Sequence, residues 1–230
     1  MTTIGLICEG VSECKILTYI INRYLGESVD INHIQPSLRM SHGVKKQDDD
    51  GGWSQVLNHC NDDIIKSNMV TNDYIVIQID TDACIQRGYD VDIYDDKHVK
   101  VPDDILYERV IERLKQNITD AVWNAYSDRI LLAICFDETE CWLLPLYYKS
   151  DAKKRCATTN CIYILNQQLQ KDGLGIPKEK KNSPEAISVY AKVLKNMKRK
   201  DIPHISQYNL GFQRFVEQMD SIKETIEKER

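Results

Sequence analysis

The sequence contains no apolar run approaching the ~20 residues that a membrane span requires. The stretch Met1 to Gly10 carries no basic cluster and no small-residue cleavage site, so it does not read as a leader. Both absences point to a cytoplasmic protein that does not engage a membrane. The eight cysteines include no CxxC pair and no Cys/His set at finger spacing, which argues against a zinc module or a disulfide framework. They read as reduced thiols, and Cys8 and Cys135, inside apolar runs, as small core residues. Neither a Walker lysine loop nor GxGxxG is present, so the common phosphate-cradling loops have no support. Internal repeats and low-complexity stretches are missing as well.

What is present suits a folded chain. It has 230 residues, 42% of them hydrophobic, enough for one large domain or a domain with an appendage. The net charge of −5 hides an asymmetry. Residues 1–148 hold 13 Lys and Arg against 25 Asp and Glu, whereas residues 149–230 hold 17 against 10. A basic C-terminal third permits a nucleic-acid partner without requiring one.

Residues 4–8 form an apolar run without alternation, as in a strand covered on both faces. Ile16, Leu17, Ile20, Ile21 and Leu25 then recur at helical spacing, with Ser12 as the expected cap and Gly26 as the stop. A weaker strand is expected over 31–38, a polar loop over 41–52 and a helix over 53–67. The strongest strand signal runs through Tyr74-Ile75-Val76-Ile77-Gln78-Ile79 into Asp80-Thr81-Asp82. An insertion over 84–101, a helix over 103–126, a buried strand over 129–136 and a helix from Cys141 follow. The last third predicts helices near 163–169, 184–200 and 211–228. Strands alternating with helices predict an α/β fold, a mostly parallel sheet of about four strands flanked by helices. The expected division is an α/β domain over 1–150 and a mainly helical extension packed on it over 151–230.

Three of the best strands end in acids. Glu9 follows the first, Asp80 and Asp82 close the third, and Glu140 comes just after the fourth. In a parallel sheet those carboxyl ends share the edge where α/β folds bind ligands. Glu13, one helical turn after Glu9, faces the same region. Single acids of this kind also serve as caps and turns, but capping does not account for the pattern at three strand ends. Crowded carboxylates repel and call for a cation, and hard oxygen donors suit Mg²⁺ or Mn²⁺. The two-residue strand period would put Asp80 and Asp82 on one side.

Glu9-Gly10 with Glu13, then Asp80-Thr81-Asp82 after a buried strand, resembles the TOPRIM (topoisomerase–primase) domain. Glu140-Cys141-Trp142-Leu143-Leu144 resembles the Glu-x-Trp-Leu-Leu signature of small stand-alone TOPRIM-like proteins of bacteria and phages. The resemblance spans about residues 3–150. It implies a Mg²⁺- or Mn²⁺-dependent nuclease, a phosphodiester hydrolase of the kind found in antiviral defence systems. Glu9 would be general acid/base or metal ligand, Asp80 and Asp82 metal ligands, Glu13 an additional acid, and Glu140 a late acid of less defined role. No tyrosine can be assigned as a strand-passage nucleophile, so topoisomerase activity is not implied. A catalytically silent subunit that binds nucleic acid or a partner ATPase is the alternative.

The partners this implies are DNA or RNA, tRNA included, a partner ATPase and a second copy in a homodimer. Lys45 and Lys46 in the polar loop, and Lys153, Lys154 and Arg155 further on, are the candidate phosphate contacts. Basic runs of this kind also serve simply as solvated faces.

Overall fold

The computed structural model describes residues 1–26, 29–41, 44–47 and 51–228. Four strands form one parallel sheet: β1 (Thr2–Ile7), β2 (Val29–Gln35), β5 (Tyr74–Asp80) and β6 (Ile130–Cys135), in the order β2-β1-β5-β6. The expected α/β class and parallel sheet are therefore found. Alternating side chains divide between two cores, as the strand period requires. Ile4, Leu6, Val76, Leu131 and Ala133 face one side; Ile75, Ile77, Ile79, Leu132 and Ile134 face the other. Both faces are covered, which is why these strands read as unbroken apolar runs.

Helix α1 (Val11–Leu25) packs on the first face and ends at Gly26, whose φ of 103° suits glycine. Its leading position is Gly10 rather than Ser12, whose side chain is used elsewhere. The polar stretch expected to be a loop contains an antiparallel hairpin, β3 (Leu38–Ser41) and β4 (Val44–Gln47). The helix expected over 53–67 is two, α2 (Trp53–His59) and α3 (Asp62–Met69). Asn61 interrupts the run because its side chain accepts the Ile64 N–H and caps a new start. Likewise α4 (Asp103–Lys115) and α5 (Asp120–Tyr126) replace one long helix, with Thr119 capping the second. These four helices cover the second face. Within 84–101 the chain turns, with a single bridge between Tyr94 and Lys100.

After β6 the chain forms a 3₁₀ segment over Thr139–Leu146, not the expected α-helix; it contains Pro145, which removes a backbone donor. Then come α6 (Ala152–Arg155), α7 (Cys161–Leu169), α8 (Pro184–Leu194), α9 (Ile202–Ser206) and α10 (Leu210–Lys228). The apolar side chains of α7, α8, α9 and α10 join the same core as β1 and α1.

Helix α10 also closes the open edge of β6. The Gln218 amide accepts the Leu132 N–H at 2.8 Å and donates to the Leu132 carbonyl at 3.0 Å, standing in for a neighbouring strand. At Gly211 a Cβ would sit 1.9 Å from the Ile134 carbonyl oxygen, so only glycine permits this approach. Gly211→Ala is expected to lower stability by about 1–3 kcal/mol, read as a lower urea midpoint, because the helix must move off the strand. An unchanged midpoint would contradict this packing.

Candidate active site

The strand order reverses between β1 and β5, since the chain leaves β1 toward β2 and later returns to the other side of β1. The crevice outside the carboxyl ends of those two strands is where open α/β sheets bind ligands. Glu9 and Asp80 occupy it. The Glu9 N–H donates to Gln78 Oε1 at 3.0 Å, and its carbonyl accepts the Gly52 N–H at 2.7 Å. Its carboxylate Oε1 accepts the Asp80 backbone N–H at 2.7 Å. The two strand ends are thus tied by the acid itself.

Asp80 is buried, and its Oδ1 accepts from Gln78 Nε2 at 2.8 Å and from Thr139 Oγ1 at 2.9 Å. Gln78 reaches Glu9, Asp80 and Thr139 from inside the sheet. Its signal in the sequence is one amide in an otherwise apolar strand. From the stretch preceding α8, Lys181 inserts its ammonium between acids: Nζ lies 2.7 Å from Glu13 Oε1 and 3.5 Å from Asp80 Oδ2. Next to it, Asn182 Oδ1 accepts from the Ser12 N–H and from Ser12 Oγ, each at 2.9 Å. This clamp holds the N-terminus of α1 to the start of α8. A Cβ on Gly10 would stand 2.7 Å from both Glu13 and Asn182 side-chain atoms, so a larger residue there would displace both side chains from the clamp. Glu140 is fully buried; the Tyr190 hydroxyl donates to its Oε1, and its Oε2 has no hydrogen-bond partner among the described residues.

Electrostatics follow from this crowding. Burial, reinforced by Glu13 and Asp82, pushes the Glu9 carboxyl up to about 8, even though the Asp80 N–H pulls the other way. Burial raises Asp80 well above its usual range against the pull of Lys181, with Glu9, Glu13 and Glu140 adding to the rise. Burial would raise Glu13 too, but the Lys181 ammonium outweighs it and holds that carboxyl below its ordinary value. Burial alone would lower Lys181; Glu13, Asp80 and Glu140 instead hold it far above its usual value, so it stays charged.

A pH dependence follows. Between the ordinary 4.5 of Glu9 and about 8, the folded chain keeps a proton that the unfolded chain has released. Stability of the metal-free protein therefore falls as pH rises through that window, by at most about 1.4 kcal/mol per unit from this group. Asp80 adds in the same direction. Glu13 works oppositely, its contribution being present above the ordinary carboxylate pKa and lost on acidification. Thermal melts in EDTA from about pH 5 to 8 should show the decline, flattened in Glu9→Gln. Equal slopes in both proteins would refute the assignment.

The donor chemistry fits a hard divalent cation: carboxylates only, three of them (Glu9, Asp80 and Glu140) with raised pKa values that a cation would bring down. The spacing is open, however. Among the described residues, the group of three whose ligand atoms lie within 4.8 Å of one another is Asp137, Cys141 and Cys161, not the acids of the crevice.

No known protein family, curated protein or solved structure matches this chain.

Two expectations need correction. Asp82 does not continue the strand beside Asp80, because β5 ends at Asp80 and the chain turns; Asp80 is buried and Asp82 exposed, its N–H donating to the Asp137 carbonyl at 3.1 Å. It remains near enough to raise Glu9. Second, Cys141 and Cys161 form a disulfide, while the other six cysteines are free. The pair is 20 residues apart, and only the packing of α7 on the 3₁₀ segment brings it together.

Of the candidate phosphate contacts, Lys153 is exposed on α6. Lys154 donates to Gln167 at 2.9 Å and lies over the Tyr148 ring, and Arg155 lies over Tyr208. Lys45 and Lys46 belong to β4, their side chains lying outside the described residues, as does the whole of His42. Lys181, Gln78, Thr139, Asn182 and Tyr190 are site residues that motif reading does not find. Trp142, stacked on Phe212 with centroids 4.6 Å apart, is core.

Proposed function

We propose that the chain is a TOPRIM-like, Mg²⁺- or Mn²⁺-dependent nuclease that hydrolyses phosphodiester bonds of DNA or RNA in the cytoplasm, as an effector of antiphage defence. The observation that carries this reading is the convergence of Glu9, Glu13, Asp80 and Glu140 on one lysine at the β1/β5 crevice. Glu9, Asp80 and Asp82 would hold the ion. Bound there, the metal supplies Lewis-acid stabilisation and an activated water. The chain's own groups supply the rest. Glu9, anchored by the Asp80 N–H at the crevice, is placed to act as general acid/base or as metal ligand. Lys181, permanently charged and already desolvated, can bind a phosphate oxygen.

The test is cleavage of plasmid, single-stranded DNA and tRNA with Mg²⁺ or Mn²⁺, compared with EDTA. Strand scission that disappears in EDTA supports the reading.

A second reading has its own support. Lys181 already neutralises Glu13 and Asp80, and the acids are not closed around an ion position. That arrangement also suits a catalytically silent subunit that binds nucleic acid or a partner ATPase. Salt-sensitive binding with no cleavage under any metal would select it.

A further inference from the structure

A cavity of about 300 Å³, lined by no residue of the acidic crevice, lies between the 3₁₀ segment, α6 and α9. One wall is a stacked set. The Arg155 guanidinium lies 4.1 Å from the Tyr208 ring centroid, and the Tyr208 hydroxyl and His204 Nε2 are 3.2 Å apart. His204 meets the Tyr208 ring edge-on. Arg155 Nη1 donates to the Lys149 carbonyl, so the guanidinium is fixed in place. Its Nε–H is buried and has no acceptor among the described residues. The guanidinium stacked on Tyr208 is the cationic part of the cavity lining, and a group of this kind pairs with ligand oxygens.

The remaining lining divides by chemistry. Lys149 adds a second cation beside Arg155. Pro145, Leu146 and Ile205 form an apolar wall, and Asn196 and Asp201 place an amide and a carboxylate at the same cavity. The volume is at the small end of ligand sites, where a few polar groups orient a mainly apolar body. Cations, apolar side chains and an amide with a carboxylate around one cavity suit a molecule that combines an anionic group, a flat apolar body and a polar edge.

We propose that this cavity binds a nucleoside monophosphate. The phosphate meets Arg155, Lys149 and His204; the base lies against Leu146 and Ile205, with its polar edge toward Asn196 and Asp201. The inference does not rest on the nuclease reading, since no residue of the acidic crevice takes part.

The experiment is calorimetric titration of the full chain in EDTA with AMP, GMP, CMP and UMP, so that no metal can bridge a phosphate to the carboxylates. At least one should bind with a Kd of roughly 10–100 µM. The corresponding nucleoside and inorganic phosphate should each bind at least about tenfold more weakly. Arg155→Met removes the guanidinium, and Leu146→Trp fills the cavity; each should weaken binding about tenfold or more, with thermal melts verifying that the variants fold. No binding by any of the four nucleotides up to about 1 mM overturns the proposal. So does a nucleoside or free phosphate that binds as tightly as the nucleotide, or full affinity in a folded variant of either kind.

Discussion

Glu9→Gln is expected to cut metal-dependent cleavage of nucleic acid by about 10²–10⁴-fold while making the protein more stable at pH 8. The two effects have one cause. The fold favours the uncharged form of this side chain, because burial and neighbouring acids push its carboxyl up to about 8. Glutamine imitates that neutral form and keeps an oxygen to accept the Asp80 N–H, which now lies 2.7 Å from Glu9 Oε1. What it loses is the charge and the basicity that the chemistry needs. On the proposed nuclease reading Asp80→Asn should be equally inactive, through loss of the carboxylate assigned to the ion at the neighbouring strand end. The check is a cleavage time course beside a urea melt of the same preparations. A Glu9→Gln protein that cleaves at the parental rate removes Glu9 from catalysis; one that melts lower at pH 8 refutes the electrostatic account.

Lys181→Met should destabilise the metal-free chain by about 3–5 kcal/mol, the cost of removing one partner from a buried ion pair. Its ammonium is the cation that Glu13 and Asp80 contact directly, at 2.7 and 3.5 Å. Methionine leaves those acids facing one another, and Glu140 with them, in a place too dry to screen the repulsion. Adding Glu13→Gln to the lysine variant should restore part of the loss, since a charge that no longer exists needs no partner. If the crevice holds a divalent ion, millimolar Mg²⁺ should also recover stability in Lys181→Met more than in the parent. Urea midpoints of the parent, both single variants and the double variant form a cycle that isolates the pair. Strict additivity across it would mean that Lys181 and Glu13 do not act on each other.

The site was legible in part, for reasons that particular residues make plain. Glu9 and Asp80 could be found because each closes an apolar run, and an apolar run followed by an acid is a local pattern. Glu140 stood out through its neighbours Trp142, Leu143 and Leu144. Asp82 would share a side with Asp80 only if the strand continued; the two-residue period applies only while the ladder lasts, and β5 stops at Asp80. Lys181 left no mark, because in Lys178-Glu179-Lys180-Lys181 it looks like its exposed neighbours. Helix breaks are not legible where one side chain, Asn61 or Thr119, offers the backbone a fresh cap inside a continuing apolar period.

Periodicity and composition by themselves determined the α/β class, the parallel sheet, the positions of β1, β5 and β6 and the acids at their ends, while β2 lies at Val29–Gln35 rather than over 31–38. Each of these depends on residues a few places apart, whose spacing already says which faces must be buried. Tertiary structure alone decided the strand order, the closure of β6 by α10, the Cys141–Cys161 bond and the arrival of Lys181 among Glu13, Asp80 and Glu140. Those contacts join residues from separate elements, and they exist only because the C-terminal helices share a core with α1 and β1. No local pattern encodes which surfaces will meet; burial of the joint core does.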